Sequence, residues 1–131
     1  MTDSNRDFQA SAIDELPQIW DGWGKLVRAG LGISAFGVQI MDYPPGHTTP
    51  AHTEQGTGQE ELYLALRGSG EVVIGDGGER VALDPERVVR VGPGTERTLE
   101  AGSDGIRVLC VGGTPGEPYS EPEWTEPDGE E

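Results

Sequence analysis

The chain has 131 residues, a length that one domain with a single core accommodates. Its formal net charge is −15, from 24 acidic against 9 basic residues, so its surface repels polyanions. Nucleic acid and anionic membranes both need a basic patch, and neither is expected as a partner.

Residues 1–16 read as a polar arm, with at most a short helix around "FQASAIDEL". Trp20 and Trp23 follow, close together in "IWDGWGK", and are expected to cover one end of the domain or an oligomer contact, with ligand stacking as the less favoured alternative. Strand signals start at Ser34. "SAFGVQIMDY" carries apolar Ala35, Val38, Ile40 and Met41, with Gly37 as a candidate bulge, and Pro44-Pro45-Gly46 ends it. "ELYLALRG" is the strongest strand. "GEVVIGDGGERVALD" reads as a hairpin turning on Gly75–Gly78. "ERVVRVGPG", "TERTLEAG" and "GIRVLCVGG" complete the set, and no helical period persists long enough to compete. With 21 glycines and 10 prolines between these runs, the expectation is an all-β sandwich or barrel with no helical segment.

Three zones emerge: an arm with a first strand over 1–33, a β-barrel over 34–113, and a Pro/Glu-rich tail over 114–131. The tail carries seven acidic residues and no basic one, and Tyr119 and Trp124 are its candidate attachment points. Cys110 is the only cysteine, so no internal disulfide forms. Its apolar run "GIRVLCVGG" marks a buried thiol rather than a nucleophile. No run is long enough for a transmembrane helix, and the polar N-terminus lacks a signal-peptide core, so a cytoplasmic location is expected.

Gly46 is followed by five residues and then His52-Thr53-Glu54; Glu61 is followed by six residues and then Gly68. Downstream lies Gly92-Pro93-Gly94-Thr95-Glu96-Arg97. This order resembles the cupin superfamily over roughly Ser34–Gly113. The resemblance implies a double-stranded β-helix, or jelly-roll barrel, and commonly a homodimer. It also implies a metal site of four ligand positions. At these positions the chain keeps His52 and Glu61, replaces the second His by Glu54, and replaces the last His by Arg97, which cannot ligate.

His52 and Glu54, two apart, share one face of a strand, and Glu61 opens the next strand with Tyr63 and Ala65 on its face. In the cupin frame these faces line the barrel interior. Two readings stand side by side. In the first, Arg97 pairs with Glu54 and Glu61, the metal site is degenerate, and the cavity binds a small polar or anionic molecule through Arg97, Tyr63, His52 and Glu61. In the second, His52, Glu54 and Glu61 hold a divalent metal (Fe, Mn or Zn) in an enzyme acting on a small organic acid, such as a dioxygenase, isomerase or decarboxylase. A side-chain-filled barrel serving as an interaction protein is the third class. His47, five residues before His52, falls off that face and is expected on the rim. No residue is assigned a catalytic role, and no nucleophile elbow, phosphate loop or Cys-x-x-Cys pair is present.

Overall fold

The computed structural model describes residues 7–76 and 78–120; Trp124 and the tail beyond Ser120 lie outside the described residues. Seven strands run β1 (Gln18–Ile19), β2 (Gly24–Lys25), β3 (Gly37–Tyr43), β4 (Glu60–Ile74), β5 (Glu79–Leu83), β6 (Val88–Val91) and β7 (Arg97–Gly113). The sheet order is β1-β2-β3-β7-β4-β5, with β6 on the free side of β4, and every pairing is antiparallel.

Two long strands make this a barrel. β4 spans 15 residues and β7 spans 17, and they pair along most of their length. Their first and second halves belong to different layers. Glu61–Leu64 of β4 takes β6 as its other neighbour, whereas Gly70–Ile74 takes β5. Likewise Ile106–Gly112 of β7 takes β3, whereas its first half takes the chain at Thr48 and His52 through single bridges. The strands turn the corner at two register shifts, between Ala65 and Arg67 and between Gly68 and Gly70. Gly68 is required there: its φ is +73°, and a Cβ would stand 2.2 Å from the Gly105 carbonyl oxygen. The sequence marks these corners with glycine, which is why each strand reads as two.

The inward residues alternate as period two demands. Tyr63, Ala65, Val72, Leu83, Val89, Val91, Leu99, Ala101, Ile106 and Val108 form one core with Met41. Full burial of a Val or Leu side chain contributes about 1.5–3 kcal/mol, and Val72 and Val108 are fully enclosed. The hairpin pairs Ile74 with Glu79, on either side of the turn the sequence predicts.

Three expectations are corrected. A five-residue helix, α1 (Val27–Leu31), does form, closed by Gly32 in the left-handed conformation. The segment before the barrel carries two short strands rather than one, and β2 extends the β3 edge. Ala35 lies outside β3, which starts at Gly37. Tyr119 packs over Gly37, and the Arg28 guanidinium stands 5.6 Å from its ring centroid, so the start of the tail is attached to the barrel. Among the described residues, no helix is long and apolar enough to cross a membrane.

Candidate functional site

The segment from His47 to Glu54 is extended but is not a strand of the sheet. It is held to the barrel by backbone hydrogen bonds: Ala101 N–H to His47, Thr49 N–H to Leu99, a reciprocal pair between His52 and Arg97, and Glu54 N–H to Pro93. Thr49 Oγ1 accepts from Leu99 N–H as well. Glu54 then opens a turn, its carbonyl accepting from Thr57 and Gly58 N–H. These bonds fix His52 and Glu54 in space, although the two share an extended loop rather than the strand that their spacing implied.

His52, Glu54 and Glu61 converge. One donor atom of each lies within 4.8 Å of the other two. His52 Nε2 is 3.2 Å from Glu54 Oε2, and Thr57 Oγ1 donates to Glu54 Oε1 at 3.0 Å. Tyr63, next to Glu61 on the inward face of β4, donates its hydroxyl to Glu61 Oε1 at 2.5 Å. The two carboxylates are nearly enclosed, with side chains 10% and 13% exposed.

This enclosure shapes the titration of the group. The hydrogen bond to Glu54 raises the His52 pKa above its ordinary 6.5, aided by the charges of Glu61 and Glu54 and opposed by burial and Arg97. The same bond lowers Glu54 below 4.5 against the opposing effect of burial. Burial is the main cause that pushes the Tyr63 phenol far up and the Cys110 thiol well up. Both therefore stay protonated near neutral pH.

Arg97 behaves differently from the pairing anticipated. It is completely buried. Its Nη2 donates to the carbonyls of Val91 (3.3 Å) and Gly92 (3.0 Å), while Glu61 Oε1 stands 3.9 Å away. No bidentate contact with a carboxylate forms, and Nε and Nη1 have no hydrogen-bond partner. Arg97 is absent from the walls of the cavity onto which the other three open.

That cavity measures about 680 Å³. Its walls include His52, Glu54, Glu61 and Tyr63, and also Trp20, Trp23, Tyr43 and His47. Register explains part of this wall: Gln39, Cys110 and Tyr63 form one row across β3, β7 and β4, with Met41 in the next row. Cys110 is half-buried, packed against the core on one side and facing the cavity on the other. His47 does sit away from the carboxylates, but it is built into the wall. It stacks on Tyr43 at 4.9 Å and meets the edge of Trp23 at 4.8 Å. Strand parity along Gln39-Met41-Tyr43 was the signal available for one side of the wall; nothing in the local pattern marked His47.

No family model matches this chain, and no curated protein does. Solved structures do. A cupin protein from Bacteroides fragilis superposes at TM-score 0.66 and 20% identity, covering 92% of this chain and 96% of that one. An RmlC-like cupin from Desulfovibrio desulfuricans matches at 0.61 and 21%, covering 79% and 94%. Oxalate decarboxylase from Bacillus subtilis, in a single-residue variant, matches at 0.62 and 19%, covering 76% of this chain and 26% of that one. At such identities the likeness speaks for the fold, which is that of the cupins.

Proposed function

Taking the cupin barrel as premise, we propose that this protein binds a small organic molecule in its cavity beside a divalent transition metal held by His52, Glu54 and Glu61. The observation that carries the proposal is the convergence of three donor atoms within 4.8 Å on the cavity wall. Nitrogen and oxygen ligands sit about 2.0–2.2 Å from zinc, so neighbouring donors of a tetrahedral site lie roughly 3.4 Å apart. His52 Nε2 and Glu54 Oε2, at 3.2 Å, already stand that close, and a set within 4.8 Å closes on an ion with shifts of about 1–1.5 Å, so the residues present fit a metal. One imidazole and two carboxylates favour Mn, Fe(II) or Zn and leave positions for outside oxygen donors. Bound there, the ion supplies Lewis acidity to a ligand oxygen.

Charge bookkeeping supports a class of ligand. Without metal, Arg97 offsets one of the two carboxylates, and a proton on His52, which its bond to Glu54 favours, offsets the other. With a dication on neutral His52, the group including Arg97 carries one net positive charge. An anionic oxygen donor restores neutrality, which matters in an enclosed site where an unbalanced charge is costly.

One observation favours a second reading, in which the protein binds its ligand without metal. Arg97 places a buried cation 3.9 Å from Glu61, where it opposes a second cation. Titration with Mn(II), followed by electron paramagnetic resonance, separates the two. The proposal predicts one bound ion in the native protein and none in His52→Ala. Free Mn(II) at every point of the titration would leave the metal-free reading.

A further inference from the structure

The sequence singled out Trp20 and Trp23, and the metal chemistry does not account for them. Both line the same cavity as the two carboxylates, and both keep much of their surface open, at 41% and 38% exposure. We propose that these indoles form a stacking wall for the flat ring of an aromatic monoanion whose charged oxygens face His52, Glu54 and Glu61. The inference rests on the ligand-binding reading above and adds the shape and charge of what is bound.

The backbone is bent to put the indoles there. Trp20 and Asp21 have φ of 55° and 59°, consecutive left-handed residues other than glycine. Such a conformation is a real outlier for a bulky side chain, and it persists only where surrounding contacts impose it, commonly at ligand clamps. The contacts are present. Trp23 N–H closes the turn on the Trp20 carbonyl, and Asp42 N–H donates to the Trp23 carbonyl at 2.7 Å. Gly24 leaves space for the Trp20 ring: a Cβ there would stand 3.0 Å from its Cε3 atom.

The Trp23 plane is fixed too. It meets His47 edge-on at an interplanar angle of 80° and Tyr43 at 83°, while those two rings stack on each other. An aromatic surface held in one orientation selects a flat partner, because stacking and edge contacts add to simple area burial. Lysine and arginine are missing from the cavity walls, among the described residues. An anionic head therefore finds its compensating charge at the metal end, and the apolar body falls to Met41, Leu99 and the indoles.

Two probe pairs test this on the full-length protein. Benzoate and cyclohexanecarboxylate share charge and ring size and differ in flatness; phenol and cyclohexanol do the same without charge. Binding is measured by calorimetry on Mn(II)-loaded and chelator-treated protein, with molecular mass measured alongside. The expected result is a preference of roughly two- to tenfold for the flat member of each pair. Trp20→Ala and Trp23→Ala abolish that preference, and Trp23→Phe retains it. Benzoate also binds more tightly to the loaded form than to the treated one, by at least several-fold.

Equal binding of flat and saturated rings overturns the wall, as does a preference that survives both alanine variants. A drop in mass in those variants, with binding unchanged, also overturns it and assigns the indoles to an interface between copies. A flat-ring preference in phenol alone overturns the monoanion and keeps no more than the wall. Failure of the metal reading looks different: Mn(II) does not bind, and benzoate binding is indifferent to chelation while both alanine variants still remove the preference.

Discussion

Two arginines on β7, ten residues apart, show what a finished ion pair looks like in this protein and what an unfinished one looks like. Arg107 donates to Asp42 through Nε at 2.7 Å and through Nη2 at 2.9 Å, and reaches Asp14 at 3.1 Å. The fork-on-fork geometry with Asp42 is the strong form of the interaction and ties β7 to β3, while the single contact to Asp14 adds the turn at Ile13–Glu15. Burial works to raise the Asp42 pKa, but the Arg107 hydrogen bond and the charges of Arg107, Lys25 and Arg67 outweigh it, so the net direction is down. Arg97 is more deeply buried and less satisfied. It has two carbonyl acceptors, a carboxylate at 3.9 Å and two unpartnered nitrogens. The first arginine completes a structural joint. The second holds charge beside a site that has room for something more.

Removing each arginine sharpens the contrast. Arg107→Met strands the Asp42 carboxylate and its hydrogen-bonding capacity; an expected loss of about 2–3 kcal/mol follows from charge-assisted bonds of this kind, read as a lower urea midpoint. Arg97→Met removes two unpartnered donors, but it also takes a donor from the Val91 and Gly92 carbonyls and the cation from beside the enclosed Glu61; with one partner of a buried pair gone, the metal-free protein is expected to lose about 3–5 kcal/mol. The same variant takes a cation away from Glu61, and its Mn(II) affinity is expected to rise by roughly tenfold or more. Mn(II) affinity that is unchanged or weaker in Arg97→Met would erase the distinction between the two arginines.

The pH dependence gives a smaller effect. Metal needs His52 neutral, and its partnership with Glu54 holds the proton to a pH above 6.5. Apparent Mn(II) affinity should therefore climb by about tenfold per pH unit below that raised pKa and level off above it. The metal-free protein shows the opposite sign. A raised histidine pKa contributes stability that is present below pH 6.5 and is lost as pH rises through the folded value. The lowered Glu54 contributes stability present above pH 4.5 and lost as pH falls through its folded value. The pair thus stabilises the metal-free protein between those limits. A flat affinity profile from pH 5 to 8 would mean that His52 is not a ligand.

Much of this was legible in the sequence because strand parity and glycine punctuation are local. Tyr63 and Ala65 face inward, Glu60 faces out and pairs with Arg90 at 2.8 Å, and the β4–β5 hairpin closes at Ile74 and Glu79, where composition puts it. His52, Glu54 and Glu61 were legible from spacing and from the cupin pattern. What stayed hidden depends on side-chain direction or on long-range backbone geometry. Parity could not show that Arg97 would turn to the Val91 and Gly92 carbonyls. The left-handed turn at Trp20 and Asp21 is only half signalled in "IWDGW": Asp tolerates that conformation, but Trp does not favour it. Stacking on a ligand is the weaker of the two sequence readings of Trp20 and Trp23, and that turn is what sets both indoles on the cavity wall. His47 joins that wall through ring contacts with Tyr43 and Trp23, on elements that only the folded sheet brings together.

The most direct test of the metal centre is elemental analysis of protein purified without chelators, beside Glu61→Gln. The account predicts about one equivalent of Mn, Fe or Zn in the native protein. It predicts a loss in the variant greater than the roughly 10- to 100-fold in affinity that a merely supporting residue costs. Native protein that stays empty after soaking with Mn(II), Fe(II) and Zn(II), or a variant that retains the full equivalent, would contradict it.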